Sequence, residues 1–432
     1  MSNSSEQLAL HGGAPVRTHP LPSQSALSQL SEDTIDLVVK TLKSESLFRY
    51  YGPKLMGNVR LLEQELSRDF GQAHALALSS GTAALKTALA ALGIGPGSEV
   101  IVPACTFVAC AGAVVTSGAV PVFAECDKTL GLDPGRLSSA LSPNTRAILV
   151  VHVKGVPARM DILRKFADAN NLRIIEDASQ AYGAEYAGQR IGSWGDVTTV
   201  SFQLNKTISS GEGGAALFSD DRLYARAIMY HDQGMLREFK MDSPPDAIVG
   251  ENLRMSEISA AILLEQVRNS PAMFKDMRAR KRRIRQAVSS LRGLQLRELT
   301  DESGDDGSAL CMYLEKPGAA RFFRKALNAE NVTCENLAKY LTYFYSAVFS
   351  QRQAVDPGCS FNCPRNGRKV EYRRGMCPNT EQLLERAVCV PLSPALSDED
   401  CGQIVTAISK VATHLSANYD TSFEERYRPS KV

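Results

Sequence analysis

A single lysine followed at once by a glycine turn has the clearest capacity for chemistry in this sequence. The stretch Ser201-Phe-Gln-Leu-Asn-Lys-Thr-Ile-Ser-Ser-Gly-Glu-Gly-Gly214 sets Lys206 after the β-prone run Val197-Thr-Thr-Val-Ser-Phe202 and ahead of flexible backbone. A lysine presented off a strand end, in a pocket that lowers its pKa, stays nucleophilic and suits a Schiff base to an aldehyde. Most lysines are merely solvated on loops, so Lys206 counts only in company. Ser79-Ser-Gly-Thr-Ala-Ala84 supplies part of it, where an apolar strand turns into a helix. A helix start offers free N–H groups and the positive end of the dipole to a phosphate. Gly81 permits close approach and the Thr82 hydroxyl adds a donor, although glycine turns before helices also arise for structural reasons. Asp177 ends the apolar run Leu172-Arg-Ile-Ile-Glu-Asp177, at the edge where open α/β sheets bind ligands. A carboxylate there can keep a pyridine nitrogen protonated and make the ring an electron sink. Equally, Glu176-Asp177 can cap a helix or pair with an arginine. Gln180 can reach the same pocket. Phosphate cradle, strand-end aspartate and downstream lysine, in that order, form a binding kit for pyridoxal 5′-phosphate (PLP).

The elements that must position these groups alternate along the chain. Strand-like runs at 73–79, 99–103, 120–123, 147–152 and 172–177 are continuously apolar, and helix-forming segments at 81–92, 107–117, 133–141 and 158–170 separate them. That pattern describes a mainly parallel α/β sheet covered on both faces. Helices are also expected over 31–43, opened by Ser31, and over 58–70. We expect an N-terminal arm over residues 1–30, a large PLP-binding domain over 31–270, a small C-terminal α/β domain over 271–415 and a loose tail over 416–432. No internal repeat is evident.

A chain of 432 residues can bury a large core, and a net charge of +2 favours neither nucleic acid nor an anionic membrane as partner. The basic run Arg278-Ala-Arg-Lys-Arg-Arg-Ile-Arg285 reads as a solvated helix face rather than a binding patch. No signal peptide or membrane span is expected, and ten cysteines without a small-domain framework suit reduced thiols in a cytoplasm. Cys359, Cys363 and Cys377 fit no standard zinc spacing, so no metal is expected. His152 can face a substrate or sit satisfied in the core. The aromatic run Tyr340-Leu-Thr-Tyr-Phe-Tyr345 reads as core of the small domain, with a pocket wall as the other possibility.

Six motifs, taken together, resemble the DegT/StrS family: Ser80-Gly-Thr-Ala-Ala-Leu85, Val102-Pro-Ala-Cys-Thr-Phe107, Glu176-Asp-Ala-Ser-Gln-Ala181, Ser201-Phe-x-x-x-Lys206, Gly211-Glu-Gly-Gly214 and Gly250-Glu-Asn-Leu-Arg-Met255. These are PLP-dependent sugar and cyclitol aminotransferases of the aspartate-aminotransferase fold (fold type I), and the match covers most of residues 40–270. Phe48-Arg49-Tyr50, Leu149-Val-Val-His152 and the region after 308 look most like 8-amino-3,8-dideoxy-octulosonate transaminases, whereas the region after about 350 fits poorly. The resemblance implies that Lys206 forms the internal aldimine, Asp177 binds the pyridine nitrogen, Gln180 lies near the ring and its O3′, and Phe107 stacks on the ring face. Gly81, Thr82 and Ser201 would hold the phosphate. Asn252 would reach it from a neighbouring subunit, which implies a homodimer with shared active sites. Gln203 stands where relatives often carry an aromatic or histidine, and Gln233 where a histidine often precedes the glycine. Both departures put substrate identity in doubt more than chemistry.

The expected reaction is a ping-pong transamination from an amino acid, L-glutamate by the family's habit, to a keto-sugar or keto-cyclitol. Three rivals differ in what they need. A related sugar dehydratase replaces the lysine with histidine, and this chain has Lys206. A non-catalytic sensor or regulator predicts a damaged cofactor kit, which is intact here. Another PLP reaction (elimination, decarboxylation or oxidation) stays open, because fold does not fix reaction.

Overall fold

The computed structural model describes residues 7–237, 239–345, 347–351, 361, 365 and 370–418. Most of the expected tail, together with Cys359 and Cys363, lies outside the described residues. Nine short strands come first: β1 (His74–Leu78), β2 (Glu99–Pro103), β3 (Val120–Ala124), β4 (Thr145–Val151), β5 (Arg173–Asp177), β6 (Glu185–Tyr186), β7 (Gln189–Arg190), β8 (Val197–Ser201) and β9 (Gly214–Phe218). β6 and β7 pair only with each other, and the other seven form one sheet in the order β1-β9-β8-β5-β4-β2-β3. β9 runs against the other six, which share one direction. This sheet is apolar on both faces because it is buried on both. In β1, Leu76 and Leu78 enter one core while Ala75 and Ala77 enter the other, as the two-residue repeat of a strand requires.

Helices α1 (Glu32–Lys43), α2 (Asn58–Phe70), α3 (Gly81–Ala91), α4 (Val108–Thr116), α5 (Met160–Ala169) and α6 (Asp221–His231) belong to this half, with α7 (Glu257–Val288) following. The segment expected as a helix at 133–141 is a 3₁₀ turn over Pro134–Ala140, opened by the Asp133 side chain. Ser31 caps α1 and Ser80 caps α3, each side chain accepting the amide three residues on, at 3.1 and 3.0 Å. Asn58 and Val59, at the start of α2, give their amides to the fully buried Glu257 carboxylate at 2.6 and 3.1 Å. A carboxylate set against a helix start satisfies donors that the helix itself cannot.

A second, antiparallel sheet is ordered β10-β11-β13-β12, from β10 (Leu294–Leu296), β11 (Ala309–Leu314), β12 (Glu335–Asn336) and β13 (Ala387–Pro391). Its core joins Phe322 and Phe323 of α8 (Pro317–Ala329) to Ile404, Ile408 and Val411 of the C-terminal helix Asp398–Asn418. α7 spans the two halves: Leu263, Leu264 and Val267 lie in the core beside the large sheet, and Ile284 and Val288 in that of the small one. Position 270, expected as the domain boundary, therefore lies inside a continuous helix. The basic run on α7 also differs from the expected solvated face. Arg278 donates to the Gly183 carbonyl, Arg280 to that of Pro394 and Arg285 to that of Arg297, while Lys281 is buried against Asp305. Carbonyls and a carboxylate from distant segments use these charges as ties, which composition alone does not reveal. The N-terminal residues dock on the small sheet, with Leu8 fully buried and Glu330 accepting the amides of Ala9 and Val16. Among the described residues no helix is long and apolar enough to cross a membrane, and no His/Cys/Asp/Glu group could hold a metal.

The fully buried His231 ends α6, with Nδ1 2.6 Å from the Ile228 carbonyl and Nε2 3.3 Å from the Tyr50 hydroxyl. The first contact makes Nδ1 the protonated nitrogen, so Nε2 accepts from Tyr50. Burial, aided by the Arg49 charge, pushes the imidazole pKa down to about 3. The folded chain thus refuses a proton that the unfolded chain takes up below pH 6.5. Stability should fall by about 1.6 kcal/mol from this residue between pH 6.5 and 5, the slope approaching about 1.4 kcal/mol per pH unit toward pH 5. Urea unfolding across that range should show the slope, and His231→Gln should lack it. An equal slope in the two proteins would contradict this account.

Candidate active site

The loops that follow β1, β2, β4, β5 and β8 meet at one edge of the large sheet. β1 ends into Ser79–Gly81, β2 into Phe107, β4 into His152–Gly155, β5 at Asp177 and β8 at Ser201, while the antiparallel β9 begins at Gly214. Between this edge and the small sheet lies a cavity of about 770 Å³. The loop that presents Lys206 is closed by its own backbone. Lys206 N donates to the Gln203 carbonyl at 2.8 Å, Leu204 N to Gly211 at 2.9 Å and Ser210 N to Phe202 at 3.0 Å. Gly211, at φ +85°, takes a backbone conformation that few other residues adopt. Lys206 faces the cavity. Burial is the largest influence on its amine and lowers its pKa; Asp177 opposes that effect and the Lys154 charge adds to it.

Asp177, 4% exposed, also lines the cavity. Ser179 N donates to Oδ1 at 2.9 Å and the Cys110 thiol to Oδ2 at 3.1 Å, while the Thr106 hydroxyl donates to Cys110 Sγ at 2.9 Å. Burial first, and the Asp177 charge second, raise the Cys110 pKa far above its usual range, so the thiol keeps the proton it donates. The adjacent Glu176 points to the other side of the strand and has a structural task. It accepts the amides of Gly192, Trp194 and Gly195, together with His152 Nε2 at 3.1 Å. His152 Nδ1 accepts from Ala158 N at 3.0 Å, so this fully buried imidazole is satisfied on both sides and has no free face for a substrate.

Gly81, Thr82 and Ser201 sit together at the cavity end nearest α3. A methyl at Gly81 would lie 2.7 Å from Ser201 Cβ, and one at Gly214 would lie 2.4 Å from the Ser80 backbone, so both glycines are required by close approach. The first-turn amides of Gly81 and Thr82 have no helical carbonyl to receive them. Phe107, 58% exposed, presents its ring at the cavity wall, and Gln180 lies beside Asp177 with its Oε1 3.4 Å from Lys154 N. Asn252 does not line the cavity of its own chain; it is exposed and bridges to Asp232. Gln203 lines the cavity, whereas Gln233 is exposed outside it, at φ +59°.

The opposite wall holds groups that the sequence reading did not select. Lys154, at φ +50°, pairs with Glu335 at 2.8 Å, and the buried Asp306 carboxyl is pushed up to about 6 by burial and by Asp305. Gln24, from the N-terminal segment, is held there by the Ser308 carbonyl. The run 340–345 divides its roles. Tyr340 lines the cavity, held there because Thr106 N donates to its carbonyl at 3.0 Å, while Tyr343 is fully buried core. The side chain of Tyr345 lies outside the described residues. These members come from segments far apart in sequence, and only Tyr340 belongs to a run that the sequence offered as a pocket wall.

An L-glutamine:2-deoxy-scyllo-inosose aminotransferase of Streptoalloteichus tenebrarius is 32% identical, over 94% of this chain and 98% of its own. A UDP-N-acetyl-3-dehydro-alpha-D-glucosamine 3-aminotransferase of Acidithiobacillus ferrooxidans is 32% identical over 82% and 89%. The solved structure of S. venezuelae DesV in complex with a ketimine intermediate superposes with a TM-score of 0.76 at 27% identity, covering 93% of this chain and all of that one. The fold is that of the fold-type I aminotransferases, with a mainly parallel central sheet. A family model matches residues 28–409, and the chain belongs to the DegT/DnrJ/EryC1/StrS aminotransferase family.

Proposed function

We propose that the chain is a PLP-dependent aminotransferase carrying an amino group from an α-amino acid to the ketone of a sugar or cyclitol. One observation carries the reading: the half-buried Lys206, its pKa lowered, shares a cavity with Asp177 and with the cradle at Gly81. The residues present fit PLP. Gly81 packs on Ser201, and Gly214 on the Ser80 backbone, only because neither glycine carries a Cβ, and the free amides at the start of α3 are left to receive a phosphate. Phe107 offers a flat face to a ring, and Asp177 offers a carboxylate to a ring nitrogen. Bound there, PLP supplies an aldehyde for amines and a ring that withdraws electrons from the carbon losing its proton.

The chain's own groups then have separable tasks. Gly81, Thr82 and Ser201 anchor the phosphate. Asp177, oriented by Ser179 N and the Cys110 thiol, holds a proton on the ring nitrogen. Gln180 would hold the ring oxygen and Phe107 would support the ring face. Lys206 would be the amine that holds the aldehyde, and its free Nζ would be the base that takes the proton from the donor's α-carbon. Because that nitrogen must act as a base, its lowered pKa suits the task. The donor leaves as a keto acid before the ketone enters, which is a ping-pong order. We take L-glutamate or its amide as donor. The amide is named by the Streptoalloteichus relative, and the same relatives' names favour a keto-cyclitol or keto-sugar acceptor.

We also propose a homodimer. Asn252 can touch a phosphate only in another copy's cavity, and Tyr51, Leu47, Leu42 and Leu55 leave apolar surface exposed that a second copy would cover. The eight described cysteines are buried free thiols, which supports a reducing cytoplasmic setting. Sedimentation of the holoprotein should give a dimer, and a monomer at micromolar concentration would overturn the shared-site reading. The purified protein should carry the absorbance of bound PLP, and L-glutamate or L-glutamine should convert it to the spectrum of the amine form. Lys206→Ala should lower turnover by roughly 10³-fold or more with its fold intact. Steady-state transamination near the parent rate in that variant would sink the assignment.

A further inference from the structure

A ping-pong aminotransferase must receive two chemically unlike ligands in one cavity. One is an amino acid with an α-carboxylate, and the other, on the reading above, is a keto-sugar or keto-cyclitol whose reacting end is an uncharged polyol ketone. A fixed buried cation would serve the first and burden the second, because an unpaired buried charge is costly. The wall facing Lys206 resolves this conflict with three side chains. Lys154 is 11% exposed and Glu335 23%, their charged atoms 2.8 Å apart, and the more exposed Lys339 lies 3.9 Å from the same carboxylate oxygen. The Tyr340 ring lies beside both ammonium groups, 5.5 Å from that of Lys154 and 5.7 Å from that of Lys339.

We infer that Glu335 is a movable counter-ion, which releases Lys154 to bind the donor's α-carboxylate and pairs with Lys339 while that anion is bound. When a neutral acceptor occupies the cavity, the carboxylate returns to Lys154 and the intact pair offers hydrogen-bonding atoms to hydroxyls. The inference rests on the aminotransferase reading and adds the residue that receives the donor.

The backbone geometry fits this division between a fixed cation and a mobile anion. Lys154 is held rigidly, in a left-handed conformation that costs energy and that surrounding groups enforce. Its amide faces Gln180 Oε1, the following Gly155 donates to the Gln180 carbonyl at 2.8 Å, and the buried Arg297 donates to the Val153 carbonyl at 2.8 Å. Glu335 stands on the two-residue strand β12, at the end of the small sheet, paired only with β13. Its backbone is anchored while its side chain can turn between the two lysines. Burial works against the Glu335 charge, but the Lys154 ammonium outweighs it and holds the pKa below the ordinary carboxylate value, so the counter-ion stays charged.

The test uses PLP-loaded protein and maleate, a dicarboxylate that cannot be transaminated, with binding read by calorimetry and by the absorbance of the bound cofactor. Glu335→Gln leaves Lys154 without its resident anion and should bind maleate about tenfold more tightly than the parent. Lys154→Met should lose that gain. Lys339→Met, a change at a mostly exposed position, removes the landing place and should weaken maleate binding several-fold in the parent background but not in Glu335→Gln. Equal maleate affinity in parent and Glu335→Gln, or a Lys339→Met effect that persists in the double variant, would overturn the inference. Failure of the parent to change spectrum with L-glutamate or L-glutamine would instead indict the proposed function, so the two failures are distinguishable.

Discussion

Taking a lysine ammonium out of water costs hydration that no single partner here fully restores, and the rest of the site is arranged around that cost. Burial drives Lys206 toward the neutral amine, and Asp177 limits how far it goes. The balance depends on the spacing of two strands rather than of two side chains. Asp177 ends β5 and pairs with Thr199 of β8, two residues before β8 ends at Ser201 and the lysine loop begins. Sheet register therefore fixes where the carboxylate stands relative to the amine. Glu176 serves the same end from the opposite face of β5, gathering three amides of the 192–195 turn that leads into β8.

Much of this was legible in the sequence, because those parts are local. A strand end, a glycine turn and a helix start lie within a few residues of each other, so Gly81, Thr82, Asp177, Ser201 and Lys206 could be read from short windows. Lys154 and Glu335 could not, since their ion pair joins positions 181 residues apart. Cys110 reads as one small apolar residue among others on α4 until Asp177 is set beside it. His152 was ambiguous because a histidine at a strand end serves a core or a substrate equally well, and only Glu176 and Ala158 decide. The basic run on α7 misled for a related reason: arginines that donate to carbonyls leave no acidic partner nearby in the sequence to mark them as ties.

The cavity is divided between the two halves of the chain. The large sheet supplies Gly81, Thr82, Asp177, Ser201 and Lys206, all at one strand edge. The segments 306–308 and 335–342, with Gln24, supply the opposite wall, and the bridge of Cys105 to Leu341 stitches that wall to the large sheet. Under the proposed function chemistry and selection are separate in space, consistent with relatives that are named for different sugars and cyclitols.

Three lysines line the one cavity, and the account stands on which of them is the nucleophile. Lys154 is paired, Lys339 is mostly exposed, and Lys206 is half-buried with its pKa lowered. Borohydride reduction of the PLP-loaded protein, followed by peptide mass mapping, decides between them. The account predicts the phosphopyridoxyl mass on the peptide carrying Lys206 and on no other. The same mass on Lys154 or Lys339, or on none, would contradict it.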